Sequence, residues 1–573
     1  MLDSLNALLL VALTAALALP VGRYLARVYA GQPTWLDPVL GPLERLCYRL
    51  PGLDPTRPMR WQPYLLHLLA LHAVWLVWAV AVLLLQDRLP AALNPDHAPA
   101  MSWSQALHTG ISFLTSTNAQ HYSGETGAAY FTQLAVFGFL QFMSAGTSLA
   151  VGVAVVRALG AEDAQARLGN PYQDFIRSCV RVLLPLSLVV AVLFAVGGVP
   201  MTLAGAAHSA NLEGVAGTVV RGPVAAFEAI KELGSNGGGF FGPNDAHPFE
   251  NPTFFTFAVH HVAVLLLPMA FVVMLGRLLR RPGLARMLFG VMAAGLLLLA
   301  TPAVWLEQRG NPALATLGVA AQPGGNQLEG KEMRFGVVPT TAYAAINMAV
   351  PAGTIAGAQD SYQPAVEVPF MLLMQIDAFF GGLGTGFLNM LIYVVIAAFV
   401  ASLMVGRTPE LLGKKIEAPQ MQAAVLVAVA GPVVVLASAA LAAWWWATTP
   451  NPATTLGWLG NPGAHGFSAM LYELISATAG NGSGFGSLSG NNPFWNLLPC
   501  LAMLVGRFVP IVGALLIAAG LLPKPTMPAS LGAIRLESVT FAALLLVIIA
   551  ILGALLFFPA LTLGPLAELL GGR

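Results

Sequence analysis

KELGSNGGGFFGPNDAHPFENPT, residues 231–253, is the stretch whose reading decides the fold. Its core, LGSNGGGFFG (233–242), is a run of small and polar residues that follows a short apolar stretch and precedes a polar loop and a long apolar run. The same order recurs around TSTNAQHYSGE (115–125), VPAGTIAGAQD (350–360) and ATAGNGSGFG (477–486). Aligning Ala119, Gly237, Gly353 and Gly482 gives spacings of 118, 116 and 129 residues, a period that runs through the chain. Self-similarity at a near-constant period is the signature of a repeated structural unit.

Gly, Ser, Thr and Asn in succession disfavour helix and accept unusual backbone dihedrals. The apolar stretch before each cluster is half the length needed to cross a bilayer, which suits a re-entrant helix. A single cluster of this kind reads as an external turn. Four in phase, each behind a half-length helix, read as non-helical backbone at membrane depth, which survives only where it is buried in protein or lines a wet cavity. The helix C-termini aim partial negative charge at the clusters. Four such units about one axis make a ring of backbone carbonyls that replaces an ion's hydration shell, as in a potassium filter. The expected filter residues are Thr117, Asn118 and Ala119; Ser235, Asn236 and Gly237; Pro351, Ala352 and Gly353; and Gly480, Asn481 and Gly482. The clusters hold no ring of carboxylates, which points away from divalent cations as the bound ion.

Composition agrees. Of 573 residues only 9% are charged and 57% are hydrophobic, too few charges to cover a soluble protein of this size and too much apolar residue for disorder. The net charge of +1 argues against nucleic acid as a partner. Cys47, Cys179 and Cys500 lie far apart and form no CxxC pair. Ten runs are long enough to span: 3–22, 62–86, 128–156, 179–200, 254–276, 287–306, 367–405, 421–446, 493–519 and 537–560. The first carries Asp3 and no basic residue before its apolar core, so it reads as a span that is kept and not as a signal peptide. Basic residues gather after odd-numbered spans, as with Arg23, Arg27, Arg45 and Arg49 after the first and Arg277, Arg280, Arg281 and Arg286 after the fifth. This bias places those loops in the cytoplasm and both termini outside. Each repeat holds two spans, and an even number restores orientation, so the repeats are parallel.

The expected architecture is therefore an all-α polytopic membrane protein of about ten transmembrane helices. It has four parallel span–pore helix–span repeats with re-entrant pore helices and filter loops. Boundaries follow at 1–60 for the N-terminal span and loop, 61–160, 161–281, 282–415 and 416–522 for the pore repeats, and 523–573 for the C-terminal span.

The seventh run is too long for one straight helix. FFGGLGTG (379–386) sits in its middle after Asp377, and its glycines are expected to break the helix beneath the third filter. Asp377, Gly381, Gly382, Gly384, Thr385 and Gly386 thus form either a gating loop with a cation-holding carboxylate or a glycine-packed crossing with a capped Asp. Gln120 either supports the first filter by hydrogen bonding or faces the vestibule. Glu232 and Glu473 lie on pore helices and either concentrate cations or pair with Lys231 and backbone groups. Arg407 and Arg507 are expected to end spans on the cytoplasmic side, as snorkelling anchors or as a positive barrier to leak. His260 and His261 are adjacent on a helix and face different ways, which disfavours a shared metal.

These strings resemble the KdpA family, the potassium-binding subunits of bacterial Kdp potassium-importing ATPases. The likeness covers essentially the whole chain and includes TSTNAQHYSGE, the 231–253 string, EGKEMRFG (329–336), FFGGLGTG, GRTPELLGKKIE (406–417), NPGAHGFS (461–468), GNGSGFGSLS (480–489), NPFWN (492–496) and VGRF (505–508). Ala119 stands where relatives can carry a bulky aromatic, Ser116 where they can carry Asn, and Pro351-Ala352-Gly353 where they can carry Ser-Cys-Gly. The resemblance implies a fold related to potassium channels and Trk/Ktr transporters, K+ as the transported ion, and a place in a bacterial inner membrane. It also implies assembly with a P-type ATPase subunit, a single-span subunit and a tiny helical subunit, with the ion leaving sideways toward the ATPase. The chain itself has no DKTG string, no HExxH and no GxSxG. GRTPELLGKK has six residues between its glycines and no Ser or Thr after the lysines, so it is no P-loop. No nucleotide is expected on this chain. The alternative is a stand-alone Trk/Ktr-like transporter driven by the membrane potential.

Overall fold

The computed structural model describes residues 2–161, 167–210, 212–311, 328–331, 333–526 and 535–571. Glu332 of the 329–336 string and the C-terminal Arg573 lie outside the described residues. The protein is an all-α polytopic membrane protein. Among the described residues, ten helices are long and apolar enough to cross a membrane, one for each run expected from the sequence. Two short antiparallel pairs, Ala207–Ala210 with Ala216–Val219 and Glu410–Leu411 with Lys414–Lys415, decorate the connections.

An outlying helix α1 (Leu2–Tyr29) packs along the second span of repeat two. Repeat one comprises α2 (Trp61–Leu85), pore helix α3 (Trp103–Leu114) and α4 (Phe139–Leu159). Repeat two comprises α5 (Leu184–Val196), pore helix α6 (Val224–Leu233) and α7 (Phe254–Leu278). Repeat three has α8 (Pro282–Glu307), pore helix α9 (Val337–Ala349) and a divided second span, α10 (Pro364–Ile376) and α11 (Thr385–Met404). Repeat four has α12 (Ala418–Thr448), pore helix α13 (Ala464–Ala479) and α14 (Pro493–Leu521). The chain ends with α15 (Val539–Leu563) and the short α16 (Pro565–Gly571).

Local chemistry marks the helix starts. Asn492 and Ser538 accept hydrogen bonds from the backbone N–H groups of Trp495 and Phe541, and Thr253 forms a reciprocal box with Thr256. Each satisfies donors that a helix N-terminus leaves free, worth about 1 kcal/mol per cap. The hydrophobic spans carry no such signal about which face lies inside, and burial supplies it. Second spans are the inner ring: 83% of the apolar window in repeat one is buried, 78% in repeat two, 67% in repeat three and 50% in repeat four. First spans are 22–39% buried and form the outer, lipid-facing ring. The pore helices, 10 to 16 residues long, dip between them.

Candidate functional site

Each pore helix ends in the same turn. The N–H of Thr117 donates to the Ser112 carbonyl at 2.9 Å, Asn236 to Lys231 at 3.0 Å, Ala352 to Asn347 at 3.0 Å and Asn481 to Ser476 at 2.9 Å, always across five residues. The next residue then takes a left-handed conformation in all four: φ is 56° at Asn118, 75° at Gly237, 51° at Gly353 and 90° at Gly482. The structural equivalent of Gly237 in the first repeat is thus Asn118, and the expected alignment through Ala119 is off by one. Ala119 holds its backbone elsewhere, its carbonyl accepting from Ser112 Oγ at 3.0 Å. Composition could not separate the two positions. Gly and, less readily, Asn adopt positive φ, but Ser116 and Ser235 adopt it here too, so residue type alone does not pick the ring position.

These four residues close a ring. A Cβ on Gly237 would strike the Ala352 carbonyl, one on Gly353 the Asn481 carbonyl, and one on Gly482 the Thr117 carbonyl. The fourth junction carries a side chain: Asn118 Nδ2 donates to the Asn236 carbonyl at 2.8 Å. Each repeat therefore packs its left-handed residue on the preceding carbonyl of the next repeat, and the fourth packs on the first.

The neighbouring side chains turn away from this ring and brace it. Asn236 Oδ1 accepts from Ser116 Oγ at 2.6 Å and Ser144 Oγ at 2.8 Å. Asn481 Nδ2 donates to the Asn347 carbonyl at 3.1 Å. Gln120 joins the first and second filters, donating to the Gly239 carbonyl at 2.9 Å and accepting from the Gly239 N–H at 2.8 Å. The third filter departs at Pro351. Its counterparts Ser116, Ser235 and Gly480 have φ of 69°, 51° and 78° and donate their N–H groups three residues back. Proline can do neither.

Behind the second filter lies a fully buried ionic cluster of which the sequence reading held only Glu232 and its partner Lys231. Lys231 Nζ sits 2.5 Å from Glu228, 2.6 Å from Asp245, 3.3 Å from Glu250 and 3.7 Å from Glu232, and all five side chains are wholly inaccessible. Tyr343 donates to Asp245 at 2.7 Å, and Glu250 accepts from the Phe241 N–H at 2.7 Å. His260 Nδ1 lies 3.1 Å from both Glu232 and Asp245, whereas His261 bonds the Phe257 carbonyl, so the two histidines do diverge. The same Lys231 whose carbonyl receives Asn236 N–H thus anchors the filter turn to four carboxylates. Besides the Lys231–Glu232 pairing, the Glu228–Lys231 spacing of three is a legible signal of this cluster. Glu473, on the fourth pore helix, lies 3.4 Å from His121.

Beneath the ring, repeat three breaks between Ile376 and Thr385. Asp377 (φ 40°) caps α10, and its Oδ2 accepts from Asn389 Nδ2 at 2.7 Å. Gly381 and Gly386 approach so closely that a Cβ on either would strike the other's backbone, and a Cβ on Gly384 would strike the Ser148 carbonyl of α4. Thr385 Oγ1 donates to the Gly382 carbonyl at 3.3 Å, and Gly386 N–H to the same carbonyl at 2.9 Å. A cavity separates loop from filter, with Ser116, Ser235, Pro351 and Gly480 above and Asp377, Gly382, Thr385 and Arg507 among its remaining walls. A second cavity shares Asp377 and Asn389 and is lined further by Gln375, Tyr393 and Gly431.

Arg507 corrects its expected position. It lies in the middle of α14, not at its end, and is buried, with Nη2 donating to the Ser144 carbonyl and Ser148 Oγ at 2.7 Å each. Its Nε has no hydrogen-bond partner. Arg407 does follow the end of α11, is exposed, and lies outside the cavity wall.

Comparison with known proteins gives the context. The family described as the potassium-transporting ATPase A subunit, KdpA, matches residues 8–570. The potassium-transporting ATPase potassium-binding subunit of Flavobacterium johnsoniae is 44% identical over 561 residues, covering 97% of each chain. The proteins of that name from Bacteroides thetaiotaomicron and Pseudomonas fluorescens are each 41% identical, over 97% and 98% of this chain and the same shares of their own. Among solved structures, the potassium transporter TrkH from Vibrio parahaemolyticus superposes with a TM-score of 0.51 at 15% identity, covering 79% of this chain and 84% of its own. That similarity is one of fold.

Proposed function

The chain belongs to the potassium-transporting ATPase A-subunit family, and on that premise we propose that it binds extracytoplasmic K+ in its four-repeat filter and delivers it to a partner P-type ATPase subunit for ATP-driven import. The observation that carries the reading is the closed ring at Asn118, Gly237, Gly353 and Gly482, with one backbone carbonyl per repeat packed against it. Rings of carbonyls held by surrounding protein substitute for the hydration shell of a monovalent cation. The bracing amides of Asn236, Asn481 and Gln120 keep those carbonyls in place.

The ion path continues into the cavity above Asp377. The loop at Gly381–Gly386 closes the way straight down, and the cavity lined by Gln375 and Tyr393 offers the sideways exit toward a partner. A pump needs such closure, because accumulated K+ would otherwise run back through the pore. Arg507, buried beneath the filter with a free Nε, supplies the cationic barrier in this scheme. Arg407, exposed, is an anchor at the membrane surface. In this reading both termini face outward, and the pore repeats run over 61–160, 161–281, 282–415 and 416–522. The single-span and small helical subunits complete the complex, and ATP is hydrolysed on another chain.

The reading is tested by purifying the chain alone and within its complex. Alone, it binds K+ and hydrolyses no ATP; with the partner ATPase, hydrolysis depends on K+. ATPase activity that survives removal of every partner, or K+ uptake by cells that lack the ATPase subunit, would replace this reading with a stand-alone transporter.

A further inference from the structure

A second cluster of ionisable residues lies apart from the filter, where three distant segments meet. Glu367 comes from the start of α10, His465 from the start of pore helix α13, and Glu568 from the C-terminal α16. One potential ligand atom from each lies within 4.8 Å of the other two. His465 Nδ1 is 2.9 Å from Glu568 Oε1, and Ser468 Oγ donates to Glu568 Oε2 at 3.4 Å. Phe485 lies nearly parallel to the imidazole, 5.6 Å between centroids, and fixes its plane.

Glu367 is the unusual member. It is 1% exposed, and neither carboxylate oxygen has a hydrogen-bond partner. A buried carboxylate without partners is strongly disfavoured. Protonation leaves the problem in place, because the new O–H is itself a buried donor with no acceptor. A cation shared with His465 and Glu568 resolves both. Two carboxylates balance a double positive charge, and the imidazole nitrogen selects against Ca2+, Mg2+ and K+, which prefer all-oxygen sites. Tetrahedral zinc with bonds of about 2.0–2.2 Å has ligand–ligand edges of about 3.4 Å, so the set needs only a modest inward movement.

We propose that Glu367, His465 and Glu568 bind a divalent transition-metal cation of the zinc class, which clips the C-terminal helix onto the fourth pore helix. Water completes the coordination, and Ser468 orients Glu568 from behind. This site lies on residues that the K+ reading does not use, so the two stand or fall separately.

The test uses the tag-free assembled complex, prepared without chelator, exposed to Zn2+ and then freed of unbound metal. About one zinc per chain is expected by elemental analysis, as for a site of three protein ligands. The variants Glu367→Gln and His465→Gln should both fall to background, while Glu417→Gln, at an exposed carboxylate, should keep its zinc. Zinc should also raise the unfolding temperature of the unsubstituted complex and leave that of His465→Gln unmoved. A zinc content at background in the unsubstituted complex, or a content in either ligand variant equal to that of the unsubstituted complex, overturns the proposal. Potassium binding by the filter is measured on the same samples and is expected to be unaffected by zinc.

Discussion

The filter and the loop beneath it sit within one bundle but follow different plans. At the filter, all four repeats make the same five-residue turn and the same left-handed step, and each packs on the next. At the level of the loop, repeat three alone divides its second span, between Ile376 and Thr385, while α4, α7 and α14 run through as helices. Under the proposed function, the contrast separates two physical tasks. Surrounding an ion with equivalent oxygens requires every repeat to contribute alike, so symmetry is kept. Closing a central path requires one segment to occupy the axis, which four equal segments could not do without colliding. Three of the four ring positions are glycine, and the asymmetric part is likewise glycine-rich, because backbone packs on backbone at those positions.

Removing the asymmetric element should have the largest effect. Deleting residues 381–386 is expected to open passive K+ flux in reconstituted vesicles or to uncouple ATP hydrolysis from uptake. A deleted protein that assembles, stays tight and pumps normally would reduce the loop to packing. Next comes the support of one ring member. Lys231→Met leaves four buried carboxylates without their cation, and breaking a buried pair from one side costs about 3–5 kcal/mol. The yield and melting temperature of the assembled complex should fall accordingly, and an unchanged melting temperature would separate the cluster from the filter.

Gly237→Ala probes the ring itself. The left-handed conformation costs a residue with Cβ about 1–2 kcal/mol, a factor of about 5–30, before its collision with the Ala352 carbonyl is counted. Weaker K+ binding and poorer discrimination against rubidium or ammonium are expected in competition assays, with assembly intact. The smallest change is Asn118→Gly, which would make the four junctions chemically alike. It removes one neutral hydrogen bond to the Asn236 carbonyl, worth about 1 kcal/mol. A shift of only a few-fold in ion discrimination is expected, and none at all would mean that the amide contributes nothing to the ring.

Much of this was legible beforehand, and for physical reasons. The four clusters announce themselves because only Gly, Ser, Thr, Asn and Pro suit backbone that is neither helix nor sheet. The break at 377–384 was visible because an apolar run of that length cannot be one helix. Register was not legible at the first filter. Asn118 and Ala119 are neighbours in a cluster of small residues, and the left-handed φ that picks Asn118 is a property of the fold. Arg507 was misplaced because a lone arginine in an apolar run looks like an end marker, and the Ser144 carbonyl and Ser148 hydroxyl that hold it belong to another repeat.

By itself, then, the sequence determined the ten spans, their parallel fourfold repetition and the location of the non-helical clusters behind the short helices, since bilayer thickness and backbone sterics act on each segment separately. The tertiary structure alone decided which spans line the axis, which residue of each cluster meets which carbonyl, and which charges share a buried site. Many of those are relations between residues more than a hundred positions apart, as with Asn118 and Asn236 or His465 and Glu568. Local propensity carries no information about such pairs, and packing around the common axis supplies it.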